Sequence, residues 1–377
     1  MIYLDHAATA PVPTPVADAM YAVLTGQFGN PSAQYTLGFE MKQQVAVWRR
    51  TVADALGCAP GQLFFTSCGT ESDNWALRAA AWQNRRLGRH IVTTAVEHSA
   101  VLEGCKWLER DGYEITYLKP GPDGNLSAWQ VLDAVRPDTA LVSLMMVNNE
   151  TGCVFPIAEI ARGLRRKNPD TLLHTDAVQG FLEVPFRAKA LGADFISLSA
   201  HKIGGPKGIG ALYIGDRVRQ PRPLLPGGGQ ESGHRSGTEA TAQIAGFAKA
   251  VELRCAGLPQ TLERMAQLRA YAAEKLLEIP GVVPVGAGTA PHILSVSLVN
   301  YPSQNIVNDL SAQGICISAG SACHQGKPSH VMAALGLPRE VAAGVIRLSF
   351  GPETTREEID ACAAALRRHR ETRFSKL

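Results

Sequence analysis

The sequence predicts an α/β fold: a mostly parallel central sheet with helices around it, followed by a smaller α+β domain. Short apolar runs that end in polar residues recur at 63–66, 91–96, 141–147, 172–175, 195–198 and 211–214. Helical patterns separate most of them, among them 72–86, 99–110 and 157–167. That alternation is the mark of helices laid over a parallel sheet. A third observation sets the smaller domain apart. Beyond Ala256 the order changes to a long helical stretch, three spaced strands and a final amphipathic helix.

The elements follow in order. The opening residues 1–11 have no basic stretch leading into an apolar core, so they do not read as a secretory signal; they are expected to fold back onto the smaller domain. The run 63–66 breaks at Ser67-Cys68-Gly69-Thr70, where a helix begins. The run 91–96 leads to His98, and 141–147 stops just before Asn149. The run 172–175 delivers Asp176, and 195–198 delivers Ser199, His201 and Lys202 before Gly204, Gly205 and Pro206 end the element. Residues 219–237 form a proline- and glycine-rich loop, followed by a helix over about 239–253. The expected division is a large domain of residues 12–255 and a small one of 1–11 plus 256–377. The small domain should hold a helix over 262–277, strands at 293–298, 315–318 and 346–349, and a last helix over about 355–370.

At 377 residues there is ample core for two such domains. A net charge of +3 is too small to argue for nucleic acid. No apolar run approaches the ~20 residues of a membrane span. The eight cysteines stand at 58, 68, 105, 153, 255, 316, 323 and 362, with no C-x-x-C pair to suggest a zinc knuckle or a dithiol motif. Free thiols in a reducing cytoplasm are expected, and no metal.

The chemistry is written at the ends of the apolar runs, where ligands of open α/β sheets bind. A lysine fixed at a strand end beside a hydroxyl and an imidazole is placed to form an imine. Alone, a His-Lys pair before a Gly-Pro turn is an ordinary polar loop. Asp176, 26 positions earlier, changes that reading. Pyridoxal phosphate needs a lysine for its imine link and a carboxylate that keeps its ring nitrogen protonated, so that the ring accepts the electron pair released at the substrate α-carbon. Gln179 is placed to donate to the cofactor's phenolic oxygen. Gly69 and Thr70 stand where free N–H groups and the helix dipole favour a phosphate. The flat imidazole of His98 suits stacking on the ring, and Asn149 suits the ring oxygen or a substrate carboxylate. Arg347, a strand arginine among apolar residues, suits a substrate carboxylate through two parallel hydrogen bonds.

Together these segments resemble a cysteine desulfurase of the class V aminotransferase family, the branch that supplies sulfur for iron–sulfur cluster assembly. The resemblance runs from "YLDHAATAP" through "FTSCGTESDN", "VEHSAV", "VNNETG", "HTDAVQ", "SAHKIGGPKGIGALY", "GGGQESGHRSGTE" and "SAGSACHQGKPSH" to "IRLSFG", and covers essentially the whole chain. It implies a fold-type I pyridoxal-phosphate enzyme, a cytoplasmic homodimer that converts L-cysteine to L-alanine and keeps the sulfur as an enzyme persulfide. Lys202, Cys323 and His98 are then catalytic. Gly69, Thr70, His98, Asn149, Asp176, Gln179, Ser199, His201 and Lys202 hold the cofactor, Thr238 reaches the partner's phosphate, and Asn149 and Arg347 bind substrate. Glycines 320 and 326 and Pro328 bracket Cys323, as an exposed loop requires. An iron–sulfur scaffold or another protein is the implied sulfur acceptor. Departures are Cys68, Ala200 and Gly205 in their motifs and a slightly short cysteine loop. Two alternatives share these residues: a selenocysteine lyase, whose motif also has Ala-Cys-His as at 322–324, and a weakly active sulfur-transfer scaffold.

Overall fold

The computed structural model describes residues 1–219, 221–320 and 329–373. Strand β1 (Ile2–Tyr3) precedes the large sheet, whose strands are β2 (Leu63–Thr66), β3 (His90–Thr94), β4 (Glu114–Leu118), β5 (Thr139–Met145), β6 (Leu172–Asp176), β7 (Phe195–Ser199) and β8 (Gly210–Ile214). Their spatial order is β2-β8-β7-β6-β5-β3-β4. The pairs from β4 through β7 are parallel, and β8 is antiparallel to both β7 and β2.

Both faces of this sheet are covered, which explains why its strands are apolar runs rather than alternating ones. Ile91, Leu141, Phe195 and Leu212 pack with Trp75 and Leu77 of helix Gly69–Gln83 and Val101 of helix Ser99–Arg110. Their neighbours Val92, Val142, Ile196 and Ala211 point the other way, into a core shared with Ile160, Leu164 and Phe247. Strand β4 escapes the sequence reading because it is a part-exposed edge in which Glu114 and Thr116 interrupt the apolar residues.

A four-stranded antiparallel sheet is made from β9 (Val282–Pro284), β10 (Ile293–Leu298), β12 (Ser318–Ala319) and β13 (Val345–Ser349), in the order β12-β13-β10-β9. Between β10 and β12, β11 (Ile315–Cys316) pairs in parallel with β1. The single strand expected at 315–318 is therefore two. Cys316 serves the N-terminal segment, through Leu4 N at 2.9 Å, while Ser318 pairs with Arg347 of β13. Leu4 packs with Leu268, Leu276, Val296, Leu348, Ile359 and Leu366 in a core separate from those of the large sheet. The helices Leu258–Leu277 and Arg356–Thr372 cover it, the latter opened by a capping box of Thr355 and Glu358. No helix among the described residues is long and apolar enough to cross a membrane.

Candidate active site

Ten of the twelve residues singled out in the sequence line one cavity of about 310 Å³ at the carboxyl ends of β5, β6 and β7. Thr238 is exposed and is not part of it. Cys323 lies outside the described residues.

Lys202 follows β7 in a single tight turn, Ala200–Lys202. Its Nζ donates to the carbonyls of Ala7 at 2.7 Å and Ala8 at 3.0 Å, so the N-terminal segment forms the wall that orients it. Burial and the nearby Arg347 hold the amine down to about pKa 8, against the pull of Asp176 and Asp5. A lysine in that range is an available nucleophile near neutral pH.

Asp176 closes the neighbouring strand, with Asp176 opposite Ser197 in the β6–β7 register. Its Oδ1 accepts from Val178 N at 2.9 Å, and it has no ion-pair partner among the described residues. Burial, reinforced by Asp73, pushes its carboxyl up to about 7. A buried acid that faces a cavity and has no ion-pair partner among the described residues is the environment in which a protonated ring nitrogen gains most. Behind it lies a layer that the sequence reading missed. His174, two residues earlier on the same strand face, meets Ser143 Oγ at 2.8 Å and Ser197 Oγ at 3.0 Å, and lies 3.5 Å from Asp73 Oδ1. The period of two was the available signal for His174. Asp73 was legible only as one helical turn beyond Thr70.

Also on the cavity wall, Gly69 opens the 15-residue helix Gly69–Gln83. A Cβ at Gly69 would come within 2.7 Å of Val178 Cγ2, so glycine lets this helix end approach the turn that follows β6. The first-turn N–H groups have no partners within the helix and suit a phosphate. His98 caps helix Ser99–Arg110, its Nδ1 accepting from Ala100 N at 3.1 Å, which leaves the proton of the neutral ring on Nε2. Burial lowers its pKa below 6.5, so the neutral form is favoured. Asn148 makes the turn that presents Asn149: its Oδ1 accepts from Glu150 N, Thr151 N and Thr151 Oγ1, and its Nδ2 donates to Val96 O.

Two expected contacts look different in place. The Gln179 amide donates from Nε2 to Ala7 O at 2.8 Å, so the donor assigned to the phenolic oxygen already has a partner. Arg347 is buried on β13 and engaged: Nη1 donates to Asn149 O at 2.7 Å, and Nη2 to Asp5 Oδ1 at 2.7 Å and Ser318 Oγ at 3.0 Å. Its Nε is buried with no hydrogen-bond partner among the described residues. Asp5 was legible only as part of the N-terminal motif. The ends of the segment that carries Cys323 are fixed beside the same cavity. Ser329 N donates to Gly320 O at 3.2 Å, Ser329 Oγ donates to Glu150, and His330 Nε2 lies 2.8 Å from Glu97 O.

An amine poised near pKa 8, an unpaired buried acid and a helix N-terminus converge on a cavity at the lower end of the ~300–1,000 Å³ ligand range, and they fit pyridoxal phosphate. Residues 2–362 match the aminotransferase class-V family, and the chain belongs to that pyridoxal-phosphate-dependent family. Within it the chain stands among the cysteine desulfurases. It is 42% identical over 363 residues to the cysteine desulfurase IscS of Methanosarcina thermophila, covering 95% of this chain and 89% of that one. A solved NifS-like protein superposes with a TM-score of 0.93 at 36% identity, covering 99% of this chain and 100% of the other. The solved structure of SspA in complex with cysteine superposes at 0.83 with 34% identity, covering 94% and 100%.

Proposed function

We propose that this chain binds pyridoxal phosphate and uses it to take the sulfur of L-cysteine onto Cys323, releasing L-alanine. The observation that carries this reading is the pair Lys202 and Asp176, on adjacent strand ends and facing one cavity. When bound, the cofactor supplies an electron sink conjugated to the substrate α-carbon.

The chain's own residues do the rest. Lys202 would hold the cofactor covalently through Nζ and would carry the α-proton of the substrate. Asp176 keeps a proton on the ring nitrogen. The helix end at Gly69 and Thr70, with Ser199 and His201, takes the phosphate, and Thr238 of the partner subunit completes that site in a homodimer. His98 stacks on the ring, with its Nε2 proton directed away from its own helix. Arg347 and Asn149 hold the substrate carboxylate. The Cys323 thiolate attacks the substrate sulfur: an S–S bond forms, the Cβ–S bond breaks, and its electron pair stays with carbon, which is protonated to the methyl group of alanine. Sulfur then passes to an acceptor protein, for which an iron–sulfur scaffold in the cytoplasm is the proposed class.

Three observations support cysteine as the substrate and Cys323 as the acceptor. It lies three residues, a reach of about 10 Å, beyond Gly320, whose carbonyl accepts from Ser329 N. The thiols of Cys58, Cys105 and Cys362 are pushed up to about 12 by burial and are poor nucleophiles at neutral pH. SspA, a structural relative, was solved with cysteine bound. The experiment is to load the protein with pyridoxal phosphate, reduce with borohydride and map the labelled peptide. Label on Lys202 supports the reading, and label elsewhere or none defeats it.

A further inference from the structure

Gln179 and Lys202 separate two cavities. One is the site described above; the other, about 280 Å³, lies behind Lys202 and is lined by His6, Glu183, Arg254 and His292 among others. With space on both sides, packing alone does not fix the Gln179 amide. It is fixed instead by hydrogen bonds at both ends. Nε2 donates to Ala7 O at 2.8 Å, the same carbonyl that receives Lys202 Nζ at 2.7 Å, and Oε1 faces His292 Nε2 at 3.3 Å.

An amide oxygen only accepts, so His292 must carry its proton on Nε2. Its Nδ1 then lies 3.9 Å from Glu183 Oε2, and neither atom has a hydrogen-bond partner among the described residues. Both side chains are more than nine-tenths buried. Glu183 is in turn held by Arg254 through its other oxygen. Beyond Glu183, the charged or titratable groups acting on His292 are Arg254, Arg347, Lys202 and His6, and burial, with the positive charges among them, keeps the ring neutral. The mechanism above uses none of His292, Glu183 or Arg254.

We propose that His292 is a positioning residue for Lys202, acting through the Gln179 amide and the Ala7 carbonyl that both residues share. Its N–H locks the amide with nitrogen toward Ala7. Without that donor the amide is free to turn. Ala7 O then loses a competing donor, and the amide oxygen turns toward the lysine side. Both changes favour the ammonium form of Lys202 over the free amine.

The inference rests on Lys202 as the cofactor-holding amine, but its test does not need cofactor. Lys202 acetylation by acetic anhydride is followed by peptide mass spectrometry across pH in cofactor-free protein, for wild type, His292→Leu, the smaller His292→Ala, and His292→Asn. The wild-type midpoint is expected near 8. In the Leu and Ala variants it rises toward that of an ordinary lysine; a rise of about one unit leaves about tenfold less free amine below the midpoint, and pyridoxal phosphate binds more weakly by that factor. Asn, which restores an N–H donor, recovers most of both. Gln179→Leu shifts the midpoint alone, and adding His292→Leu to it shifts nothing further. An unmoved midpoint in folded His292→Leu or His292→Ala overturns the proposal, as does an Asn variant that behaves like Leu, or additive shifts in the double variant. Failure of the Lys202 assignment itself would show separately, as borohydride-fixed cofactor on another residue.

Discussion

Arg347 Nη2 and Asp5 Oδ1 stand 2.7 Å apart, both more than four-fifths buried, and join the first residues of the chain to the last strand of the small sheet. The arginine proposed to receive the substrate carboxylate is therefore held in place by a carboxylate of the chain, with Nε left over. Arg347→Lys keeps a charge and loses the fork. KM for cysteine is expected to rise about ten- to a hundredfold with a much smaller change in kcat, the size of one charge-assisted hydrogen-bond set. Steady-state kinetics decide it: a fall in kcat at unchanged KM would remove Arg347 from substrate binding.

Lys202 reacts only as the free amine. With its pKa held to about 8, chiefly by burial, the neutral fraction grows as pH climbs through 8 and levels off above it. Uptake of pyridoxal phosphate by cofactor-free protein, read as visible absorbance, is expected to speed up over that window and then plateau. Lys202→Ala should lose at least the ~10²–10⁴-fold of an acid–base group, together with the covalent link. A rate that keeps rising to the pH range of an unperturbed lysine would contradict the buried-amine account.

Much of this site is legible in the sequence, for a physical reason. A strand buried on both faces is a continuous apolar run, and its end is where the chain first shows polar residues. Thr70, His98, Asn149, Asp176 and Lys202 could all be found that way. What stayed hidden is what depends on the third dimension. Asp5 and His292 meet Arg347 and Gln179 only because the N-terminal segment and the small sheet close over the strand ends. The edge strand β4 and the split of 315–318 between two partners carry no apolar signal of their own.

Asp176→Asn removes the anion that would hold a proton on the ring nitrogen. The pKa of that nitrogen should fall by about 1–3 units, the usual effect of a lost opposite charge at contact distance. The expected outcome is a severe loss of turnover at neutral pH in a protein whose melting temperature is not lowered, since the buried acid already carries a cost, its carboxyl being pushed up to about 7. Near-normal kinetics in this variant would end the proposed role.

The loop before Thr238 is tied down within its own subunit. Arg49 grips Glu231 with two hydrogen bonds of 2.7 and 2.6 Å, and Arg235 Nε reaches Glu71 at 2.8 Å, in the first turn of the helix proposed to hold phosphate. Thr238 itself faces outward, as a residue offered to a partner must. Sedimentation should show a dimer at assay concentration, and Thr238→Ala should weaken pyridoxal phosphate binding by the ~5- to 10-fold of one neutral hydrogen bond. A fully active monomer would exclude the shared site.

The central claim is that substrate sulfur comes to rest on Cys323, and mass spectrometry tests it most directly. Wild-type protein loaded with pyridoxal phosphate is exposed briefly to L-cysteine without reductant, and its cysteine peptides are weighed. Persulfide formation predicts a gain of about 32 Da on the Cys323 peptide, close to one per subunit, and none on Cys323→Ser, which should still change the cofactor spectrum when cysteine is added. A sulfur adduct confined to another cysteine, Cys68 in the cavity wall above all, or rapid alanine production with no adduct on any thiol, would contradict it.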